Sequence, residues 1–293
     1  MRGSTTDAMP AATFTLGGDL EVHRLGFGAM RITGPGIWGP PADHDAALAV
    51  VRRAVELGID LIDTADSYGP GTSEELIAEA LYRTEYPRGL VIATKGGLER
   101  PAPGSWTPAC DPARLVACCE ASLRRLRVER IDLYQLHTVD PDVPFEDSVG
   151  ALADLRAQGK VRHVGLSNVT VAHIEAARAI VPIVSVQNRY NLADRANEEV
   201  LNYCEREGLG FIPWFPLAAG ELAETGGAIA EVAAELDVTT SQVALAWLLR
   251  RSPVMLPIPG TGSVVHLEEN HAATTLELSE AQFRRIDENS RVG

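Results

Sequence analysis

The sequence predicts a single parallel (β/α)8 barrel, and three observations lead to that fold class. Short β-rich runs alternate with amphipathic segments of helical length from residue 25 to the end of the chain. The β-rich runs number eight, which is the number that closes a small barrel. No linker interrupts the 293 residues, so we expect one domain over 1–293, with 1–11 as a flexible N-terminus. A doubly wound sheet in two domains is the alternative architecture.

The strands are predicted from their β-rich composition. A hairpin comes first, in which Gly17 and Gly18 provide the positive φ angles of a tight turn between residues 13–16 and 20–23. The eight barrel strands then follow at 25–29, 60–63, 90–95, 131–137, 161–166, 183–187, 210–214 and 254–258.

The helices are predicted from their apolar spacing and from the residues at their ends. Asp111 and Pro112 are typical of a helix start, and Gly159 of the residue just past a helix end. Ser279 with Gln282 has the spacing of a capping box. The predicted helices lie at 43–57, 111–127, 145–158, 170–180, 195–207, 240–251, 264–273 and 279–289.

Composition and charge exclude several classes of protein. The chain has 26 basic and 40 acidic residues and a formal net charge of −14. This excess of acid disfavours sequence-independent binding to nucleic acid, which depends on Lys and Arg. No apolar run approaches the roughly 20 residues of a membrane span, and no apolar stretch follows the first Met, so we expect a cytoplasmic protein that binds no membrane. The four cysteines lack C-x-x-C spacing, and we predict neither disulfides nor a metal site.

Polar and aromatic side chains close or directly follow predicted strands two to seven. The C-terminal ends of the strands of a (β/α)8 barrel converge on one face, and the active sites of that fold lie there. We therefore expect these distant side chains to share one cleft. They are Asp63, Lys95, His137, Ser167, Asn168, Gln187 and Trp214.

Taken singly, three of these residues also have structural explanations. Asp63 could cap a turn, Lys95 could form an ion pair with it, and His137 could be a buried imidazole. Together with Tyr68 they fit a site that reduces a carbonyl group. The ammonium of Lys95 is expected to lower the phenol pKa of Tyr68, and Asp63 to hold Lys95 in place. His137 would orient the substrate oxygen, to which Tyr68 gives a proton.

Three segments carry a resemblance to a known family. Residues 62–69, 94–97 and 132–137 are similar to the Asp/Tyr, Lys and His motifs of the aldo-keto reductases, and the resemblance extends over almost the whole chain. It implies that Asp63, Tyr68, Lys95 and His137 are the catalytic tetrad, with Tyr68 as the general acid. It also implies NADPH-dependent reduction of an aldehyde or ketone to an alcohol.

The same resemblance implies a cofactor site. Gly260 and His266 stand where many family members have Lys and Arg, so less positive charge surrounds the 2′-phosphate of NADPH here. Arg31 replaces the third glycine of G-x-G-x-x-G, which excludes a Rossmann fingerprint. The implied cofactor residues are Gly28, Ala29, Met30, Ser167, Asn168, Gln187, Trp214, Pro216, Leu217, Gly260, Thr261, Gly262, Ser263, His266, Glu269 and Asn270.

The expected substrate is a small carbonyl compound. The long loop over residues 28–41 resembles that of a bacterial branch of the family with pyridoxal reductase-like enzymes, which makes pyridoxal a candidate. Trp38 at the loop tip and Arg31 are the predicted substrate residues. Packing for Trp38 and a surface salt bridge for Arg31 are the alternatives. The oligomeric state is left open.

Two other functions remain open at this point. Some relatives of the family use the barrel and its cofactor as a redox-responsive subunit of a partner protein. A lysine on a barrel strand such as Lys95 could also form a Schiff base, as in an aldolase.

Overall fold

The computed structural model describes residues 12–217 and 227–289, and the predicted flexible N-terminus, 1–11, lies outside them. The chain begins with an antiparallel hairpin of β1 (Thr13–Leu16) and β2 (Leu20–His23). Leu16 and Val22 of this hairpin are fully buried against the first residues of the barrel strands. The hairpin thus closes the end of the barrel opposite the predicted site.

Seven strands form one parallel sheet. Its order is β11-β10-β9-β8-β5-β4-β3, and each strand pairs in parallel with its neighbours. A second short hairpin, β6 (Leu98–Glu99) with β7 (Thr107–Pro108), follows β5. The sheet strands are β3 (Phe27–Gly28), β4 (Leu61–Asp63), β5 (Val91–Gly96), β8 (Ile131–Leu136), β9 (Val161–Ser167), β10 (Ile183–Gln187) and β11 (Gly210–Phe211).

Residues 254–259 close the sheet into a barrel. On one side, Phe211 N donates to Val254 O at 2.8 Å, and on the other Gly26 N donates to Pro257 O at 2.9 Å. The predicted eighth strand therefore lies where it was expected, but it forms only an isolated bridge at Met255. Prolines at 257 and 259 have no N–H to donate, which prevents a continuous ladder. The (β/α)8 prediction is confirmed, and the doubly wound sheet is wrong.

Helices cover the outside of the barrel. Eight agree with the predicted helices to within three residues at each end. The helices Thr72–Leu81 and Ala228–Leu236 were not predicted. Each follows a glycine, Gly71 or Gly227, which has no side chain that could cap the helix. The bounds are α1 (His44–Glu56), α2 (Thr72–Leu81), α3 (Pro112–Leu126), α4 (Phe145–Ala157), α5 (Val171–Arg178), α6 (Glu198–Glu207), α7 (Ala228–Leu236), α8 (Thr240–Arg251), α9 (Val264–Ala272) and α10 (Glu280–Asn289).

No helix within the described ranges combines the length and the apolar character that a membrane span requires. The largest apolar cluster lies between the sheet and helices α3 to α8, and it includes Tyr134, Tyr190 and Trp247. The strands are thus fixed from outside, which holds the side chains at their C-terminal ends.

Gly96, at the end of β5, is closely packed against the neighbouring strand β8. A Cβ at this position would lie 2.1 Å from Tyr134 Oη, a buried hydroxyl without a hydrogen-bond partner among the described residues. We predict that Gly96→Ala lowers the free energy of unfolding by about 1–3 kcal/mol through overpacking. Urea denaturation followed by circular dichroism measures the change. Tyr134→Phe should recover part of the loss in the double variant, and a loss that Tyr134→Phe leaves unchanged would contradict the steric explanation.

Candidate active site

The four predicted catalytic residues meet at the C-terminal end of the barrel. Asp63 ends β4, Lys95 lies near the end of β5, His137 follows β8, and Tyr68 lies in the loop after β4. All four are buried, with exposures of 8% or less. Asp63, Tyr68 and His137 line a cavity of about 460 Å³. The predicted juxtaposition is therefore present in the structure.

Lys95 and Asp63 form an ion pair inside the barrel. Lys95 Nζ donates to Asp63 Oδ2 at 2.7 Å and to the carbonyl oxygen of Thr64 at 2.9 Å. The other carboxylate oxygen of Asp63 accepts from Gln187 Nε2 at 2.8 Å and from Gln135 Nε2 at 3.3 Å. Burial alone would lower the pKa of Lys95, but Asp63 and Tyr68 raise it above its usual value. Lys95 is therefore a fixed ammonium.

Tyr68 borders this ammonium, at 3.5 Å from its hydroxyl to Lys95 Nζ. Burial raises the pKa of Tyr68, and the field of Lys95 acts in the opposite direction without reversing the shift. The sequence-based expectation of a lowered phenol pKa is wrong in this respect. Desolvation of the phenolate exceeds the attraction of the ammonium, so the residue stays a neutral phenol that retains its proton near neutral pH.

His137 lies beside Tyr68, with the ring centroids 5.9 Å apart and the rings nearly perpendicular. Burial, reinforced by the positive charge of Lys95, keeps the pKa of His137 well below its usual value. Its Nδ1 lies 3.4 Å from Ser67 Oγ, and Asn168 Nδ2 donates to its backbone oxygen at 3.0 Å. A neutral imidazole in this position can hydrogen-bond a substrate oxygen without adding charge.

A flat aromatic face and several amide groups also line the cavity. Trp214 Nε1 donates to Asn168 Oδ1 at 2.9 Å, which fixes the indole ring. Asn168 Nδ2 also donates to Ser167 Oγ at 3.1 Å, and Asn168 itself has a φ of 58°, a conformation that Asn tolerates well. Ser167, Asn168, Gln187 and Trp214 all line the cavity. This set fits the ring and the carboxamide of a nicotinamide.

The remaining predicted cofactor residues lie in three segments of the chain, 28–30, 216–217 and 260–270. Gly28 and Gly260 let the first and the third of these segments approach closely, since a Cβ on Gly28 would lie 2.6 Å from Ile258 O. Ser263 caps α9, and its Oγ accepts from His266 N. Gly28, Met30, Pro216, Leu217 and Gly260 line the cavity. Ala29 lies outside this lining, and so does the segment at α9 with Thr261, Gly262, Ser263, His266, Glu269 and Asn270.

The two predicted substrate residues occupy different places. Arg31 lines the cavity beside Gly260, and its Cγ lies 3.6 Å from the position of a Cβ on that glycine. Trp38 does not line the cavity. Trp106 was not predicted as a site residue, yet it lines the cavity and lies edge-on to both Tyr68 and His137. Trp106 belongs to a Pro-rich segment without strand periodicity, so only its approach to Tyr68 identifies it.

Asp66 is a further acidic residue next to the backbone of Lys95. Its backbone N donates to Lys95 O, and its Oδ1 is buried without a hydrogen-bond partner among the described residues. Burial raises the pKa of Asp66 to about 7, against a smaller opposite effect of Cys118. This carboxyl group is therefore protonated over part of the pH range in which exposed aspartates are charged.

The site combines a neutral, buried phenol with a fixed ammonium at the C-terminal end of a closed (β/α)8 barrel. This combination defines a class of carbonyl-reducing oxidoreductases. Comparison with known proteins agrees with this class. Residues 24–291 match the Aldo/keto reductase family, and the chain belongs to that family. The predicted family, fold and class of enzyme are confirmed.

Three individual relatives illustrate the match. An uncharacterized oxidoreductase of Schizosaccharomyces pombe is 52% identical over 98% of this chain and 93% of its own length. Pyridoxine 4-dehydrogenase of Escherichia coli K12 is 45% identical over 97% of this chain and all of its own. The crystal structure of an aldo/keto reductase from Klebsiella pneumoniae in complex with NADP and acetate superposes with a TM-score of 0.81, at 28% identity and 95% coverage of both chains.

The raised pKa of Asp66 predicts a pH-dependent effect on stability. The folded-state pKa, about 7, exceeds the unfolded value near 4, so the wild-type protein loses stability as the pH rises through this interval. At pH 8 we expect Asp66→Asn to be more stable than the wild type by about 1–3 kcal/mol, with a smaller difference at pH 6 and little difference at pH 4. Urea denaturation at pH 4, 6 and 8 measures it.

Glu129→Gln, at an exposed position, is the matched control and should give no comparable pH-dependent difference. If Asp66→Asn and the wild type differed by the same amount at all three pH values, the proposed titration of Asp66 would be incorrect.

Proposed function

We propose that the protein reduces an aldehyde to an alcohol with NADPH, that Tyr68 is the proton donor, and that pyridoxal is a substrate. The observation that carries this proposal is the position of the Tyr68 hydroxyl, 3.5 Å from the Lys95 ammonium and beside the His137 ring, at the floor of the cavity. Family membership supports the reaction, and the 45% identical pyridoxine 4-dehydrogenase supports the substrate.

The proton transfer follows from the charges around Tyr68. NADPH supplies the hydride when it is bound. A carbonyl oxygen that accepts hydrogen bonds from Tyr68 and His137 gains negative charge as the carbonyl carbon is reduced. The phenol proton moves to that oxygen, and the alcohol forms. The ammonium of Lys95, held by Asp63, stabilises the phenolate left on Tyr68 until solvent returns the proton.

The cavity supports this placement of the two reactants. Trp214, fixed by Asn168, offers its indole face to the nicotinamide ring, while Ser167 and Gln187 lie within the same cavity for the carboxamide. The part of the lining not assigned to the cofactor is largely apolar, with Leu98, Trp106 and Phe215. An aromatic aldehyde such as pyridoxal fits such walls.

Arg31 serves the cofactor phosphates in this proposal, instead of the substrate as the sequence analysis expected. Its side chain packs against Gly260, at the start of the segment that the family resemblance assigns to phosphate binding. A larger residue at 260 would approach Gly28 O to 2.9 Å, so glycine is required there and cannot supply a charge. Arg31 lies close enough to replace the basic group that many family members have at that position.

The state of Lys95 weighs against a Schiff-base aldolase. A lysine nucleophile must lose its proton and reach the substrate. Lys95 is fully buried, donates to Asp63 and Thr64, and has a raised pKa. These contacts favour a permanent ammonium.

The proton-donor assignment predicts a large kinetic effect of Tyr68→Phe. We expect kcat for NADPH-dependent reduction of pyridoxal and of 4-nitrobenzaldehyde to fall by about 10²–10⁴-fold, since removal of a positioned acid has effects of this size. NADPH oxidation at 340 nm measures the rates. Lys95→Met should also lose most of the turnover, because the phenolate then has no cation beside it.

Tyr203→Phe is the matched control, because that hydroxyl contacts Arg178 on the outside of the barrel. It should keep wild-type kcat. Equal, negligible rates for the wild type and Tyr68→Phe with both aldehydes would overturn the reductase and favour the redox-responsive subunit. Activity with 4-nitrobenzaldehyde alone would leave the reaction in place and refute pyridoxal as a substrate. A borohydride-trapped adduct on Lys95, detected by mass spectrometry, would support the aldolase.

The assignment of Arg31 predicts a change in cofactor affinity. We expect Arg31→Met to weaken NADPH binding by about tenfold, the typical effect of losing one charge-assisted phosphate contact. Quenching of the fluorescence of the four tryptophans measures the Kd. Arg206→Met, at an exposed ion pair with Glu207 on α6, is the control and should leave the Kd unchanged. Unchanged binding in Arg31→Met would disprove its role, and equal wild-type affinities for NADPH and NADH would disprove NADPH selectivity.

A further inference from the structure

Arg100 is a buried cation at the mouth of the cavity that the reaction above does not use. It follows β6, in the loop of the β6–β7 hairpin, and only 6% of its surface is exposed. Among the described residues its guanidinium bonds to backbone carbonyl oxygens and to no carboxylate. A buried charge is unfavourable without such bonds, so these carbonyl groups stabilise the guanidinium in its position.

The carbonyl groups that accept from Arg100 belong to three separate segments. Nε donates to Ser105 O at 2.8 Å within its own hairpin loop. Nη1 and Nη2 donate at 3.0 and 2.9 Å to Ile37 O and Gly36 O in the loop after β3. Nη1 also lies 3.4 Å from Ser67 O, directly before Tyr68. The planar fork of arginine suits such divergent acceptors, whereas a lysine ammonium is a point charge.

Two tryptophans contact the same guanidinium. Its carbon Cζ lies 3.8 Å from the centre of the Trp106 ring and 5.7 Å from that of Trp38. A cation over an indole face is attracted to it, and here the guanidinium is buried while Trp106 is 37% exposed. Trp106 lines the cavity and Trp38 does not, so the contact of Trp38 with the cation explains this loop-tip residue without substrate contact.

The backbone at Ile37 is strained. Its φ is 57°, a value that a β-branched residue rarely adopts. The carbonyl oxygen of Ile37 accepts from Arg100 Nη1 and also from Gly69 N at 3.2 Å, the residue after Tyr68. Such a conformation persists only where surrounding contacts hold it. Arg100 therefore contributes to keeping the loop after β3 in place.

We propose that Arg100 is a positioning residue for substrate binding: it joins the loop after β3 to the β6–β7 hairpin and thereby holds Trp106 as a wall for an aromatic substrate. The proposal rests on the proposed function for its substrate class. Arg100 itself makes no contact with the reacting atoms. Its loss should therefore weaken the binding of an aromatic aldehyde while leaving proton transfer from Tyr68 largely intact.

The first test is independent of turnover. Hydrogen exchange measured by mass spectrometry on the substrate-free protein should show faster exchange in Arg100→Met at residues 34–39 and 98–108, with helices α4 to α6 unchanged. Arg114→Met is the matched control, because Arg114 bonds the same hairpin through exposed Glu99. It should leave residues 34–39 as in the wild type. Unchanged exchange at 34–39 in Arg100→Met would overturn the proposal, whether or not the protein reduces any aldehyde.

The second test separates positioning from general destabilisation. With pyridoxal, Arg100→Met and Arg100→Lys should raise KM by about tenfold and change kcat by less than about threefold, which is the pattern for lost binding that is equal in ground and transition states. With propanal, which is too small to need the wall, KM should change by less than about threefold. The Kd of NADPH should stay the same. Equal KM changes for both aldehydes, or a loss confined to kcat, would contradict the proposal.

A double-variant cycle tests whether Arg100 acts through Trp106. If it does, Trp106→Leu raises KM for pyridoxal, and adding Arg100→Met raises it little further. If the double variant instead raised KM by the product of the two single increases, Arg100 would act independently of Trp106 and the proposed link would be refuted. Inactivity of the wild type with pyridoxal, propanal and 4-nitrobenzaldehyde would refute the proposed function, and hydrogen exchange would still decide the role of Arg100.

Discussion

The buried ion pair of Lys95 and Asp63 is the constraint on which the rest of the site depends. Removing two charges from water is costly unless their hydrogen-bonding groups are satisfied. Here the carboxylate accepts from Lys95, Gln135 and Gln187, side chains that come from β5, β8 and β10. Asp63 itself belongs to β4. The hydrogen bonds of the pair therefore fix the positions of four strands relative to one another at the C-terminal end of the barrel.

The same lack of water sets the protonation states around that pair. It raises the pKa of the Tyr68 phenol and lowers that of the His137 imidazole, so both are neutral while Lys95 is charged. A site with one fixed cation and two neutral hydrogen-bonding groups is suited to a substrate that becomes negative during reduction. The charge that stabilises the transition state is already in place before the substrate binds.

The interactions at the mouth of the cavity differ from those at its floor. At the floor, opposite charges are hydrogen-bonded to each other and to side-chain amides. At the mouth, the cation of Arg100 is satisfied by backbone oxygens and indole faces, and it connects loops that share no secondary structure. The floor is suited to the common chemistry of the family, and the loops of the mouth to the choice of substrate.

The sequence by itself determined the alternation of strands and helices, through apolar periodicity and cap residues, and it identified Asp63, Lys95 and His137 by their positions at strand ends. These are local properties of the chain. Tertiary structure decided the closure by a proline-containing segment, the place of Trp106 in the cavity, and the direction of the pKa shift of Tyr68. Each depends on desolvation or on contacts between residues far apart in the chain, and a local sequence pattern contains neither.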